Sequence, residues 1–208
     1  DFCLSRGLGD VYKRQAHGSN VAGIIGMASN GSNFVGAAFG AELMLLRVAN
    51  GEATNNNTTA ITSSAVANAV VYARRHKANV ISMSLSIAGI YPTAIKNAIN
   101  DAYADSIAVV AAAGNSSIGS AAGLYYPAAA SNVIGVMASG QTDRYTLTDF
   151  SNYDEHSGQY YDIAAPGYAI IGCGTESGKF TVMAGTSQST PLVASCIALY
   201  RSVYPNQT

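Results

Sequence analysis

Residues 79–114 read NVISMSLSIAGIYPTAIKNAINDAYADSIAVVAAAG, and this stretch decides the fold class. Two short apolar runs, at 79–85 and 107–114, predict buried strands, and the segment 91–105 between them predicts a helix. Buried strands that alternate with helices are typical of a parallel sheet that is covered on both sides. We therefore predict an α/β fold with a mostly parallel sheet and helices on both of its faces.

The same alternation continues on either side of this stretch. Upstream, 42–49 predicts a strand, and 60–77 predicts a helix because its Ala and Val residues recur at steps of three and four. Four further strands are predicted downstream, at 132–139, 161–167, 168–174 and 179–185. They are followed by a predicted helix at 189–205. The Asn- and Thr-rich segment 50–60 predicts a surface loop.

Composition limits the kind of protein. The chain has 208 residues, of which 49% are hydrophobic and 11% are charged, which suits one domain with a well-buried core. A formal net charge of -1 and the absence of Lys/Arg runs argue against nucleic acid or an anionic membrane as a partner. The apolar runs are too short to span a membrane. We expect a monomer.

The cysteines and the first fifteen residues add two expectations. Cys3, Cys173 and Cys196 form neither a C-x-x-C motif nor a disulfide framework, and we expect Cys196 to be a small buried residue of the last helix. DFCLSRGLGDVYKRQ lacks helical and strand periodicity and differs in composition from the chain that follows. We expect residues 1–15 to be a non-native leader, rather than a flexible tail, and residues 16–208 to form the domain.

Three strand and helix junctions each carry one chemically useful side chain. They are His17 at the start of a small-residue helix, Asn115 after the strand at 107–114, and Ser187 close to the last helix. Chemistry is expected at such junctions because open parallel sheets bind ligands at the carboxyl ends of their strands. Taken alone, each side chain also has an ordinary interpretation, as a polar helix end, a turn residue and an N-cap.

Together, the three residues match the requirements of acyl transfer. Ser187 can act as the nucleophile, His17 as the general base that activates it, and the Asn115 amide as a donor to the developing oxyanion. The backbone N–H of Ser187 would be a second donor. Free N–H groups in the first turn of a helix also favour negative charge.

Four segments then resemble the subtilisin-like serine protease family, in the order and with the spacings of that family. They are HGSNVAG at 17–23, VISMSLS at 80–86, VVAAAGN at 109–115 and GTSQSTPLVA at 185–194. The resemblance covers about residues 16–206. It implies a subtilisin-like fold and peptide-bond hydrolysis through an acyl-enzyme, with a Ser/His/Asp triad that includes His17 and Ser187.

The resemblance also implies a triad Asp about thirty residues before His17, in a D-[ST]-G context. Neither Asp1 nor Asp10 has that context or that distance. We therefore expect the chain to be a fragment, truncated at both ends, whose own activity is very low. Asp149 and Asp162 follow Asn115, where the family has no catalytic carboxylate.

The resemblance assigns a binding site for a peptide or protein substrate. Three residues would form the edge that pairs with the substrate backbone: Ser84, Leu85 and Ser86. Four would line the pocket for the residue before the scissile bond: Ala112, Ala113, Gly114 and, from the segment 124–128, Tyr125. Tyr125 falls where many relatives have a small residue, so we expect a shallow pocket that prefers small apolar side chains.

No cofactor is required for this chemistry, but the resemblance allows a structural calcium site. The loop 28–36 follows the first helix as the calcium loop of the family does, and hard cations favour oxygen ligands. Its ligands would be the Asn30 side chain and the carbonyls of Ala28, Ser32 and Phe34. An ordinary Asn/Gly turn is an equally good interpretation. By family analogy alone, we expect an extracellular or cell-surface protein.

Other interpretations remain open. A different serine hydrolase is disfavoured because the chain has no G-x-S-x-G motif at Ser187. A catalytically inactive, subtilisin-like binding module is the alternative function. His76, beside the basic end of the helix at 60–77, and His156, in a polar Tyr-rich loop, are expected to be solvated surface residues.

Overall fold

The computed structural model of the chain describes residues 16–29, 34–50, 60–140, 146–174, 176 and 178–205. The helices within these ranges are α1 (Ala16–Gly26), α2 (Ser63–Arg75), α3 (Thr93–Ala104) and α4 (Thr186–Val203). The strands are β1 (Ala49–Asn50), β2 (Ala60–Ile61), β3 (Val80–Met83), β4 (Ile87–Ala88), β5 (Ala108–Ala112), β6 (Tyr125–Tyr126), β7 (Ile134–Ser139), β8 (Ile163–Pro166), β9 (Ile170–Cys173) and β10 (Phe180–Met183).

Four of these strands form the central sheet, in the order β3-β5-β7-β8, and every pair in it is parallel. The parallel arrangement is possible because α3 connects β3 to β5 over the length of the sheet. In the register of β3 and β5, Met83 lies opposite Ala111. The carboxyl ends of these two strands are therefore neighbours.

Helices cover both faces of this sheet. Ile81 and Met83 of β3 pack into one hydrophobic cluster with α2 and α3, whereas Val80 packs into a second cluster with α1 and α4. Alternate residues of a strand point to opposite faces, so both faces of β3 are buried, as its continuous apolar sequence predicts. The structure confirms the α/β fold with a parallel sheet between helices.

Local signals set the ends of α2. The Thr62 side chain accepts a hydrogen bond from the Ala65 N–H, which is typical of an N-cap. At the other end, Arg74 and Arg75 occupy the last turn, where positive charge is favourable. His76 follows as the exposed C-cap and stacks on Tyr72, which confirms its predicted surface position.

The predicted strand at 42–49 is wrong for most of its length. Within the described ranges, no ladder includes 42–48, and β1 pairs with β2 outside the central sheet. The apolar alternation has another cause. Leu43 and Leu45 pack against the cluster beside α1 and α4, while Met44 and Leu46 pack against the cluster beside α2 and α3. The segment fills both cores; among its described residues 42–48, Leu46 alone takes part in a β-bridge, and none belongs to a ladder of the central sheet.

The last strands leave the parallel sheet. β9 and β10 form an antiparallel pair that packs against α1. Both correspond to predicted strands, at 168–174 and 179–185, and each is shorter than predicted. The pair therefore supports the helix that carries His17.

Cys196 contradicts its predicted burial, because it is exposed on α4. Its neighbour Ser195 is fully buried, and a step of one residue rotates the side chain by about 100° around a helix. The apolar composition of α4 therefore does not specify which face is covered. Cys173 is half-buried on β9, and burial raises the pKa of its thiol.

Gly23 permits the close contact between α1 and β9. A Cβ atom at Gly23 would lie 2.3 Å from the backbone nitrogen of Cys173. We expect Gly23→Ala to lower the free energy of unfolding by about 1–3 kcal/mol, because the clash outweighs the higher helix propensity of alanine. Urea unfolding of both proteins measures the change.

Gly26→Ala is the matched control for this prediction. Its Cβ would meet the end of the Leu43 side chain, which can rotate away, so we expect a loss below about 1 kcal/mol. Equal stability of Gly23→Ala and the parent chain would contradict the proposed steric role of Gly23.

Candidate active site

The first turn of α4 is fixed to the carboxyl end of the sheet. Gly185, the N-cap, has a φ of 153°, and its N–H donates to the Gly167 carbonyl at 2.8 Å. The buried Ser189 hydroxyl donates to the Ala165 carbonyl of β8 at 2.9 Å. These bonds place the start of α4 where β8 ends. The helix begins three residues before its predicted start at 189.

Ser187 is the second residue of α4 and is half-buried. The N-cap interpretation of this serine is therefore wrong, because Gly185 occupies that position. The Ser187 hydroxyl lies 3.4 Å from the Ser84 carbonyl oxygen, and the Ser84 hydroxyl donates to the Ser187 carbonyl at 2.7 Å. The structure thus brings Ser187 and Ser84 together, although 103 positions separate them.

Pro191 explains why the Ser187 carbonyl is available to Ser84. In an α-helix this carbonyl would accept from the N–H four residues later, and proline has no N–H. Pro191 lies inside α4 at that position. The helix therefore leaves one acceptor in its first turn for a side chain from outside.

Asn115 is held by the first residue of α4. Its Oδ1 atom accepts from the Thr186 backbone N–H at 2.9 Å and from the Thr186 hydroxyl at 3.0 Å. Thr186 Oγ1 also accepts from the Gly114 N–H at 3.1 Å. Because the amide oxygen is used in this way, the exposed Asn115 side chain has its NH2 group available for a ligand.

A second asparagine supports this turn. Asn152 is fully buried; its Oδ1 accepts from the Ser116 and Ile118 N–H groups, and its Nδ2 donates to the Ala113 carbonyl at 2.8 Å. These bonds fix the backbone on both sides of Asn115. Sequence reasoning missed Asn152, because nothing in the local pattern around it indicates a partner 39 positions away.

His17 lies near the start of α1 and is half-buried. α1 packs directly against α4. Three residues after His17, the Asn20 side chain accepts a hydrogen bond from Gln188, the residue that follows Ser187. The turn of α1 that carries His17 is thus beside the turn of α4 that carries Ser187.

The predicted substrate edge lies between β3 and β4. Ser84, Leu85 and Ser86 follow β3 directly, and within the described residues they belong to no ladder. Ser86 is exposed, whereas Leu85 packs against the core. β4 already pairs with β6. The backbone of Ser84 to Ser86 is thus not used in a described ladder, and its role as the substrate edge stays a prediction.

Tyr125 covers the predicted pocket. A Cβ atom at Gly114 would lie 2.9 Å from the Tyr125 ring, so the ring rests on the glycine backbone. The Tyr125 hydroxyl donates to the Ser116 hydroxyl at 2.9 Å, and its N–H donates to the Tyr161 hydroxyl at 3.0 Å. Burial raises the pKa of Tyr161, which keeps this phenol neutral.

The other predicted wall residues face inwards. Ala112 and Ala113 are 2% and 0% exposed, and Ala113 packs into the core cluster beside α2 and α3. Their methyl groups therefore do not line an open pocket. Only the backbone of this strand end, together with Gly114, can form a wall.

Two of the carboxylates that follow Asn115 in the sequence, Asp162 and Asp154, have hydrogen-bond partners of their own. Asp162 accepts from the Gly135 N–H at 2.7 Å. Burial opposes ionisation of Asp154, but hydrogen bonds from Ser120 and from the backbone of Gly158, His156 and Gln159 lower its pKa overall. His156 is exposed in this loop, as predicted. The Asp162 and Asp154 carboxylates thus hold the backbone of the segments around them.

The predicted calcium loop falls partly outside the described residues. Asn30 and Ser32 lie there, while Ala28 and Phe34 are described. Within the described part of the chain, no three His, Cys, Asp or Glu residues form a group that could hold a metal ion. Because the predicted ligands are an amide and carbonyls, the calcium site stays a prediction.

Comparisons with known proteins identify the family of the chain. The model of the subtilase family, Peptidase_S8, matches residues 8–208. A "Thermophilic serine proteinase" of Bacillus sp. strain AK1 is 36% identical over 187 residues, which cover 89% of this chain and 42% of that protein. The "Major intracellular serine protease" of Bacillus subtilis strain 168 is 32% identical, covering 89% and 55%.

A solved structure supports the fold independently. The "S41 Psychrophilic Protease" matches with a TM-score of 0.80 at 27% identity, covering 96% of this chain and 67% of that one. Fold and sequence together define a protein of the subtilisin-like serine protease class. The chain belongs to the subtilase family.

The chain spans less than two thirds of the length of the curated relatives it matches first. The family match includes residues 8–15, which lie outside the described residues, so the non-native leader stays a prediction.

No described helix is long and apolar enough to cross a membrane. A relative named as intracellular shows that family membership does not fix the compartment.

Proposed function

We propose that the whole protein is a serine endopeptidase that hydrolyses peptide bonds through an acyl-enzyme. Ser187 attacks the scissile carbonyl while His17 accepts its proton and then returns it to the leaving amine. Water then attacks the acyl-enzyme, with His17 again acting as the base. The products are a free carboxylate and a free amine.

One observation carries this proposal: the Asn115 oxygen is fixed by Thr186, the residue before Ser187. This leaves the Asn115 NH2 group and the Ser187 N–H as donors at the same helix end. Two donors placed beforehand stabilise the tetrahedral oxyanion at no cost in reorganisation. A solitary surface serine lacks such an arrangement.

The carboxylate that orients His17 is part of the proposal. In the family order it precedes the histidine by about thirty residues, and we propose that it lies upstream of residue 1, since neither Asp1 nor Asp10 has the D-[ST]-G context. Among the described carboxylates after Asn115, Asp162 accepts a hydrogen bond from Gly135 and Asp154 is bound within its own loop. Asp149 also follows Asn115, where the family order has no catalytic carboxylate. Loss of a triad carboxylate costs about 10⁴-fold in rate in a serine protease of another fold. We therefore expect the 208-residue chain alone to react very slowly.

The test is covalent labelling with a fluorophosphonate serine probe. The 208-residue chain, the full-length product of the parent gene and its Ser187→Ala variant are compared. Labelling of the full-length protein only, lost in Ser187→Ala, is the expected result. A folded full-length protein that stays unlabelled would exclude the protease and favour the inactive binding module.

We further propose that substrates with a small apolar residue before the scissile bond are preferred. The Tyr125 ring, held over Gly114 by its hydrogen bond to Ser116, supports this preference. We expect Tyr125→Ala to raise kcat/KM for a peptide with Phe at this position about 10-fold or more relative to the Ala peptide, since burying a larger side chain becomes possible.

Tyr153→Ala is the control for this prediction, because Tyr153 is an exposed tyrosine of another loop. It should leave the ratio of the two kcat/KM values unchanged. An unchanged ratio in Tyr125→Ala would show that this ring does not limit the pocket.

A further inference from the structure

Two buried amide side chains connect the helices of His17 and Ser187. Asn20 of α1 is 0% exposed, and Gln188 of α4 is 1% exposed. Gln188 Nε2 donates to Asn20 Oδ1 at 3.1 Å, although the two residues are 168 positions apart. Asn20 Nδ2 in turn donates to the Thr181 carbonyl of β10 at 2.8 Å. One chain of hydrogen bonds therefore runs from α4 through α1 to the hairpin of β9 and β10.

The position of this chain relates it to the chemistry. Residues three apart on a helix lie on the same side, so Asn20 is one turn along α1 from His17. Gln188 follows Ser187 directly. A displacement of α1 along α4 that changed the separation of His17 and Ser187 would also have to stretch the bond between Asn20 and Gln188.

Close backbone contacts restrict both amides. A Cβ at Gly172 of β9 would lie 2.8 Å from the side-chain Nδ2 of Asn20, and a Cβ at Gly185 would lie 3.1 Å from Gln188 Oε1. Gln188 Nε2 also lies 3.8 Å from Met183 Sδ. Apolar packing alone is not directional, whereas a hydrogen bond loses strength with small changes in distance and angle. The amide pair thus defines one relative position of the two helices.

We propose that Asn20 and Gln188 are positioning residues that hold the helix of the general base in register with the helix of the nucleophile. This inference rests on the proposed function and assigns no contact with substrate to either residue. It predicts that loss of the bond affects turnover more than substrate binding, because the substrate edge at Ser84–Ser86 is hydrogen-bonded to Ser187 and keeps its position relative to the nucleophile when α1 moves.

The main test is Gln188→Met in the full-length protein. Methionine keeps the length and burial of the side chain but removes the amide donor. We expect kcat to fall about 10- to 100-fold, the range that a displacement of about 1 Å at reacting groups produces, while KM changes less than about twofold. Steady-state kinetics with a chromogenic peptide measures both constants.

Ser195→Ala is the matched control. Ser195 is equally buried on α4, and its hydroxyl donates to the Pro191 carbonyl at 2.7 Å. This variant should lower the melting temperature without changing kcat. If Gln188→Met also lowers only the melting temperature and keeps its kcat, the amide pair is structural and the positioning role is wrong.

Two isosteric variants keep the test decisive if Gln188→Met does not fold. Gln188→Glu removes the donor that faces Asn20, whereas Asn20→Asp keeps an acceptor for Gln188. A larger loss of kcat in Gln188→Glu than in Asn20→Asp is expected, and equal kcat values overturn the inference. If the wild-type protein neither reacts with the serine probe nor hydrolyses peptides, the proposed function is wrong. If the wild-type protein is active and the Gln188 variants have the same kcat, only the positioning role is wrong.

Discussion

His17→Ala is expected to reduce kcat of the full-length protein by about 10⁶-fold, the magnitude known for the corresponding histidine of a related enzyme. The serine hydroxyl is a weak nucleophile unless a base accepts its proton, and alanine provides no base. KM should change little, because His17 contributes to proton transfer rather than to binding the peptide. Single-turnover measurement with an activated ester or amide substrate gives the residual rate.

His76→Ala serves as the comparison for this prediction. His76 is an exposed C-cap whose ring contacts Tyr72 and whose Nδ1 lies 2.9 Å from the Tyr72 carbonyl oxygen. Replacing His76 with alanine should leave kcat within about twofold of the wild type, since a substitution on the surface and away from the active site has a small effect on activity and stability. A loss below tenfold in a folded His17→Ala protein would remove His17 from the proposed mechanism.

Asn115→Asp is expected to reduce kcat by about 10²- to 10³-fold, equivalent to about 3–4 kcal/mol in the barrier. The aspartate keeps an oxygen that can accept from Thr186, so the local scaffold is preserved. It loses the NH2 donor and adds negative charge where the oxyanion forms. Steady-state kinetics and a thermal unfolding curve, recorded together, separate the loss of catalysis from any loss of stability.

The same change at a second asparagine tests whether the effect is specific. Asn132 is half-buried, and its amide donates only to Asn100 among the hydrogen bonds of the described residues. Asn132→Asp should not change kcat. A comparable loss in both variants would indicate a general charge effect and would argue against an oxyanion role for Asn115.

The sequence predicted those parts of the molecule that depend on local patterns. Continuous apolar runs predicted β3 and β5. The small-residue junctions predicted Asn115 and Ser187 as site residues, and the structure brings Asn115 to Thr186, the residue before Ser187. Such patterns work because side-chain periodicity follows backbone geometry within a few residues. The segment at 42–48 shows the limit of this reasoning. The apolar side chains of this segment are buried on two sides, which gives the same sequence pattern as a buried strand. A strand, however, also requires a neighbouring strand for its hydrogen bonds.

The supporting groups of the site could not be predicted in this way. Asn152 fixes the turn at Asn115 across 39 positions, and Gln188 contacts Asn20 across 168. In the sequence, an isolated Asn or Gln has many ordinary roles, and its partner is defined only by the fold. Cys196 was assigned to the wrong side of α4 for a related reason, because helix composition does not specify which face other elements cover.

The hydrogen bonds between Ser84 and Ser187 and between Asn20 and Gln188 have a consequence for the order of folding. Closing the loop between distant positions costs chain entropy, so a site built from such contacts forms more slowly than one built from local contacts. During synthesis, α1, β3 and β5 all emerge before α4. We expect a nascent chain to hold its general base and its substrate edge well before it holds a nucleophile, and therefore to be unable to cut itself or its neighbours until the last helix is in place.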